Sequence, residues 1–312
     1  MGDRISVSIH LFLGVPPLSS SANFRRTIRA AVQANLPPAA RVSAHLATTY
    51  RWEMPDAAQG FESASMQSMG VWRRKMEEFG EERTAELLRD QGIAVSSVSW
   101  AGGFTGERSV TLRESMWDAC VALDCTAELG SPYLLAVTGP RAGHAKPHLK
   151  KLLTEELPNL GDHARQRGVA VLLQILGGAQ AMRWSCLEST SAALDLVAQC
   201  NHSRVGLAVD LKVLAREPAA LARIDQLVDH MGLAIIREFP RSEIDPGAQG
   251  RATLSLREVV RRLEAAGYRG QYELQLPHNQ IAPSHYDVLL RNCRARLTSW
   301  LQASERTTAQ LS

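Results

Sequence analysis

The amino-acid sequence predicts an α/β fold, a single (β/α)8 TIM barrel, on three observations. Short apolar runs alternate with longer amphipathic stretches, the alternation repeats eight times, and glycines stand at the ends of the amphipathic stretches. Buried parallel strands read as near-continuous apolar runs because both of their faces are covered. A helix that ends in the left-handed conformation favours glycine there. A doubly wound open sheet shows the same alternation, but it usually carries a Gly-rich phosphate turn after its first strand, and this chain has none. A barrel of this class takes ~250 residues, and the chain has 312.

The first strand candidate is the run 42–52, with a helix opening at Pro55 and Asp56. Residues 68–74 form the second, and the helix 81–91 that follows is closed by Gly92. Residues 93–100 lead into a glycine-bearing loop, 101–106, and then a helix at 112–129 closed by Gly130. The run 133–138 precedes a helix that ends near Gly168. The remaining runs are 169–176, 205–209, 233–236 and 271–276, separated by helical stretches at 191–199, 218–229 and 256–266. Residues 42–302 are thus expected to be the barrel, with 1–41 an extension expected to be disordered and 303–312 a tail.

Composition narrows the function classes. The chain is 45% hydrophobic and 21% charged, as globular proteins are. Its net charge of +3 is small and spread out, which gives no argument for nucleic acid. No apolar run approaches the ~20 residues of a membrane span. The start of the chain faintly mimics a signal peptide, but His10 interrupts the apolar stretch and Asp3 weakens its charged head. The expected location is the cytoplasm. Five cysteines without CxxC spacing read as reduced thiols, not as a zinc site.

Four segments carry a family resemblance: GVWRRKMEEFGEER at 70–83, VSWAGGFTG at 98–106, LAVD at 207–210 and LREVVRRLEAAGYRG at 256–270. Together, in this order and spacing, they resemble the xylose isomerase-like barrels, the sugar phosphate isomerase/epimerase type. The resemblance implies one divalent metal held by a Glu ending the fifth strand, an Asp ending the sixth, a His in the seventh and a Glu in the eighth. Carried over by position, these fall on Gln174, Asp210, a residue at or beside Arg237, and Gln275. A hard divalent cation in such a site is held by anionic oxygens and a neutral imidazole. Gln offers only a neutral carbonyl, and Arg is a permanent cation that cannot ligate. The expectation is therefore no metal and no cofactor, with Asp210 and Arg237 close enough to pair.

Each candidate has a bland reading beside the functional one. Asp210 is a general base or a substrate anchor, against a structural ion pair with Arg237 or Lys212. His144 lies on the Gly-rich loop after the fourth strand, where relatives also carry a His; a surface histidine is the alternative. Gln174 and Gln275 are expected to bind substrate hydroxyls or carbonyls. Trp72 and Trp100 close the second and third strands and Tyr50 and Trp52 the first, forming pocket walls or simple packing. Lys212 is an acid–base candidate or a salt-bridge partner. Arg73 and Arg141 suit an anion or are solvated, and Glu273 belongs to the polar interior.

These residues point to a metal-independent enzyme of isomerase, epimerase, lyase or cyclase type that acts by acid–base chemistry on a small oxygenated metabolite. Asp210 and His144 would carry protons, and Arg237 would stabilise an oxyanion. Aromatic walls suit a specialised metabolite better than a simple sugar. The competing readings are a non-catalytic binding barrel, or a metal enzyme with other ligands such as His144, Glu238 or His278. Relatives are often dimers, so the resemblance implies a homodimer as the only macromolecular partner.

Overall fold

The computed structural model describes residues 36–106, 110–177, 181–237, 254–276 and 281–311. The strands are β1 (Val42–His45), β2 (Ser68–Trp72), β3 (Ala94–Gly102), β4 (Tyr133–Val137), β5 (Ala170–Gln174), β6 (Val205–Asp210), β7 (Met231–Ile236) and β8 (Gln271–Leu274). They pair in parallel in sequence order and close, β8 bonding back to β1, into an eight-stranded barrel. Helices α1 (Met54–Ser63), α2 (Arg73–Phe79), α3 (Glu81–Asp90), α4 (Leu112–Glu128), α5 (Lys146–Gln166) and α6 (Thr190–Cys200) follow the first five strands. The short helices α7 (Leu211–Leu214), α8 (Pro218–Leu221) and α9 (Ile224–His230), then α10 (Leu256–Ala265) and α11 (Tyr286–Leu311), complete the outer layer. Among the described residues no helix is long and apolar enough to cross a membrane, and all five cysteines are free thiols.

Two boundaries differ from the sequence reading. The first strand stops at His45, not near Trp52. Its chain turns because Thr48 N–H donates to the His45 carbonyl at 2.8 Å and Thr49 N–H to that of Leu46 at 3.1 Å. The Thr48 hydroxyl ties the turn to the end of β8, donating to Leu274 O at 2.9 Å and accepting from Leu276 N at 3.0 Å. Tyr50 and Trp52 therefore stand on the loop above the barrel. At the other end, α11 runs on to Leu311, through the segment expected as a tail.

Alternation along each strand sends one set of side chains outward to the helices and the other into the lumen. The outward set forms the main core. The lumen has two unlike halves. On β4 to β7 it is filled by Tyr133, Leu135, Ala170, Leu172, Ala208, Leu233 and Ile235. On β8 and β1 to β3 it holds Glu273, Ser43, His45, Ser97 and Ser99, all fully buried.

Ahead of β1, residues Pro38–Arg41 form a turn of 3-10 helix. Arg41, 1% exposed, sends two nitrogens to the Glu264 carboxylate at 2.6 and 2.8 Å and its Nε to Gly270 O at 3.0 Å. Tyr272 donates to the same carboxylate at 2.8 Å. Packing of the barrel thus begins a few residues before Val42, because this ion pair fastens the entry of β1 to α10 and β8. Replacing Arg41 with Ala strands a buried carboxylate, and the expected loss is ~3–5 kcal/mol by chemical denaturation. A loss under ~1 kcal/mol, the range of exposed pairs, would contradict this role.

Candidate active site

The C-terminal strand ends bring Gln174, Asp210, Arg237 and Gln275 to one mouth, with His45, Trp72 and Trp100 from the first three strands. Its central feature is a hydrogen bond from Gln174 Nε2 to Gln275 Oε1, 2.6 Å long, between side chains that are 1% and 3% exposed. β5 and β8 lie three strands apart in the closed ring, so these amides meet only inside the lumen.

The bond belongs to a chain. Trp100 Nε1 donates to Gln174 Oε1 at 2.5 Å, and Gln275 Nε2 donates to Glu273 Oε1 at 2.9 Å. Ser96 and Ser97 hydroxyls donate to Glu273 Oε2 at 2.7 and 2.8 Å. An indole N–H can only donate, so the atom of Gln174 facing it is the oxygen. Gln174 must then present its nitrogen to Gln275, and Gln275 its own nitrogen to Glu273. One tryptophan thereby fixes both amides.

Local backbone features make room for this chain. Met69 pairs with Val95 but Gly70 with Ser97, so β3 bulges at Ser96 and two successive serines reach one carboxylate. A Cβ on Gly70 would stand 2.6 Å from both Glu273 Oε2 and the His45 ring. Only glycine lets the two side chains pass. Burial raises the Glu273 carboxyl above its usual range, against the serines and Gln275, which favour the anion.

His45 is the site residue that the sequence reading missed. Its Nδ1 accepts from Ala47 N–H at 3.0 Å, which places the ring proton on Nε2, 2.7 Å from Ser99 Oγ. Its ring lies 5.2 Å from that of Trp100. Burial, reinforced by the charge of Arg237, holds the imidazole down at about 3. The signal was present: apolar residues at 42, 44 and 46 alternate with Ser43 and His45. Reading the run as a strand to residue 52 hid that parity.

Asp210, 2% exposed, ends β6 and caps α7, its Oδ1 accepting from Lys212 N at 2.8 Å and Val213 N at 3.4 Å. Burial raises its carboxyl above the usual range, while Arg237 is the strongest influence the other way. Arg237 acts through space: among the described residues no ion pair joins it to Asp210. Lys212 contributes its backbone N–H and a weaker charge. Trp72 and Trp100 are half-buried with rings 6.3 Å apart, and Tyr50, 37% exposed, lies 5.9 Å from Trp72. His144 sits on the loop before α5 with its carbonyl accepting from Arg141 Nε and its ring 5.2 Å from that of His148. Arg73 is held by Asp118 in a two-pronged ion pair at 2.9 Å. Glu238 and His278 lie outside the described residues.

These residues do not fit a divalent cation. Each amide oxygen already receives a protein donor, the two amides are bonded directly to each other, and the nearby cation is a guanidinium. Among the described residues no three His, Cys, Asp or Glu side chains form a metal-holding group.

A closed parallel barrel with its polar residues gathered at the C-terminal strand ends is the architecture of (β/α)8 enzymes. The chain belongs to the xylose isomerase-like TIM barrel family, whose family model matches residues 57–294. A search of the curated proteins gave no match. Among solved structures, a Sinorhizobium meliloti 1021 protein matches with TM-score 0.70 and 21% identity over 83% of this chain and 97% of its own. An L-ribulose 3-epimerase matches with TM-score 0.72 and 15% identity over 88% of this chain and 98% of its own. The IolI protein, solved with a zinc atom, matches with TM-score 0.65 and 16% identity, covering 85% and 97%. At these identities the likeness is one of fold.

The neutral His45 has a consequence for acid stability. The unfolded chain protonates near 6.5 and the native site only at about 3. The native state binds fewer protons between those values, so stability falls as pH drops through that window, at ~1.4 kcal/mol per pH unit. Denaturant unfolding at about pH 7 and about pH 5 should show a drop that is ~2 kcal/mol smaller in His45→Gln than in the wild type. Equal drops would contradict a buried neutral imidazole.

Proposed function

We propose that this chain is a metal-independent enzyme of isomerase type, the class extending to lyases and cyclases, that moves a proton on a small oxygenated metabolite. The observation that carries the reading is the paired amides standing where metal-binding relatives would hold carboxylates, beside a retained Asp210 and a guanidinium. The family membership and the named epimerase among similar folds support isomerase chemistry.

Asp210 is the proton carrier in this reading. Burial raises its affinity for a proton, which makes it a stronger base than a solvated carboxylate. The carboxylate takes a proton from the carbon beside a substrate carbonyl, and the electron pair of that C–H bond passes to the carbonyl oxygen. Arg237 stabilises the resulting oxyanion. Asp210 then returns the proton, to the same carbon on another face or to a neighbouring atom, and the carbonyl or its isomer is restored. His144, which contacts Arg141 and His148, is given no step in this reading. A specialised metabolite fits the aromatic walls better than a simple sugar.

The saturated polar groups of the mouth favour one second reading, a barrel that binds without catalysis. Chelator-treated protein in D2O, followed by NMR with a panel of small oxo-compounds, separates the two. Deuterium should enter at the carbon beside the carbonyl without added metal, and a folded Asp210→Asn protein should exchange ~100-fold or more slowly. Exchange that requires Mn, Mg or Zn would sink the metal-independent reading. Unchanged exchange in folded Asp210→Asn would remove Asp210 from the mechanism, and no exchange with any compound would support the binding barrel.

A further inference from the structure

Eight strand ends surround the mouth, and most of their polar side chains already hold one another. His45 gives its ring nitrogens to Ala47 N–H and Ser99. The Thr138 hydroxyl contacts Gly139 O and Ser185 and accepts from Cys186 N. Gln174 and Gln275 are taken up by Trp100, by each other and by Glu273.

Two kinds of surface among the described residues suit a ligand. One is aromatic: Tyr50, Trp72 and Trp100 run in series, and Trp100 is backed by the apolar half of the lumen. The other is charged. Arg237 acts on both His45 and Asp210, and His45 packs on Trp100, so the guanidinium and the indole flank one residue. Beside Asp210, whose Oδ1 is held by the α7 cap, stands Gly177. A Cβ there would stand 2.6 Å from Val213 Cγ2 and 3.5 Å from Asp210 Oδ2, so only glycine fits this close to the carboxylate.

A polyhydroxylated molecule needs a donor or acceptor for each hydroxyl it buries, since an unpaired polar group costs free energy. Here His45, Gln174 and Gln275 are already engaged with protein groups. A flat ring needs faces to stack on, and a carboxylate needs one fork of N–H donors. We propose that the mouth takes a planar aromatic or conjugated carboxylate, its ring against Trp72 and Trp100 and its anionic end toward Arg237. The proposal rests on the functional reading above, since the ligand would lie beside the proton carrier Asp210.

The test is binding of small probes to the full-length protein by saturation-transfer NMR and tryptophan fluorescence. Benzoate should bind saturably, about 3- to 10-fold tighter than cyclohexanecarboxylate, because only the flat ring stacks. It should bind about 10-fold or more tighter than benzyl alcohol, which lacks the charge. D-Fructose should not saturate. Trp72→Leu should erase the ring preference, and Arg237→Gln the preference for the acid over the alcohol. Tyr50→Ala, at an exposed position, should weaken benzoate even if Trp72→Leu fails to fold. Saturable D-fructose with no benzoate binding overturns the proposal, as does equal affinity for the two acids. Benzoate binding with a metal-dependent deuterium exchange would instead overturn the functional reading and leave this one standing.

Discussion

The direct bond between Gln174 and Gln275 is the constraint on which the rest of the mouth depends. Two carboxylates drawn to 2.6 Å, the separation of these amides, would repel unless a cation or a shared proton lay between them. Two amides need neither, because one donates where the other accepts. The direction of that donation is not free. Trp100 sets it from one end, and the Glu273 carboxylate receives it at the other.

From this follow features that look unrelated along the chain. The β3 bulge, Gly70 and the two serines all serve to seat one buried carboxylate beneath the amides. Trp100 spans from β3 toward β5 on one side and His45 on the other, so it closes the polar half of the lumen while packing on the apolar half. A network satisfied in this way is rigid, and a partly satisfied one would be costly in so dry a place. Asp210 stands outside the chain, its Oδ1 capping α7, and the charge of Arg237 falls on both Asp210 and His45.

Much of this was legible in the sequence. The eight apolar runs gave the barrel because buried parallel strands leave a strong pattern. Gln174, Asp210 and Gln275 could be placed at the mouth because each closes a run. The reading failed where the pattern weakens. Residues 42–52 stay apolar enough to look like strand, so the turn after His45 was invisible, and with it an imidazole that packs on Trp100. Hydrogen-bond direction was also out of reach: nothing in the order of residues says that an indole on β3 reaches an amide on β5. His144 was chosen by its loop and by the resemblance, and neither says where a side chain points. The Arg41–Glu264 pair links residues 223 apart, a separation that no local pattern records.

The most direct test of this account is metal titration of a variant in which the amides are undone. Gln174→Glu, Arg237→His and Gln275→Glu together with the native Asp210 restore three carboxylates and one imidazole at the mouth. Calorimetric titration with Mn2+ should give no heat of binding for the wild type and one saturable site per chain for the folded triple variant. Stoichiometric Mn2+ binding by the wild-type protein would contradict the claim that the amide bond stands in the place of the ion.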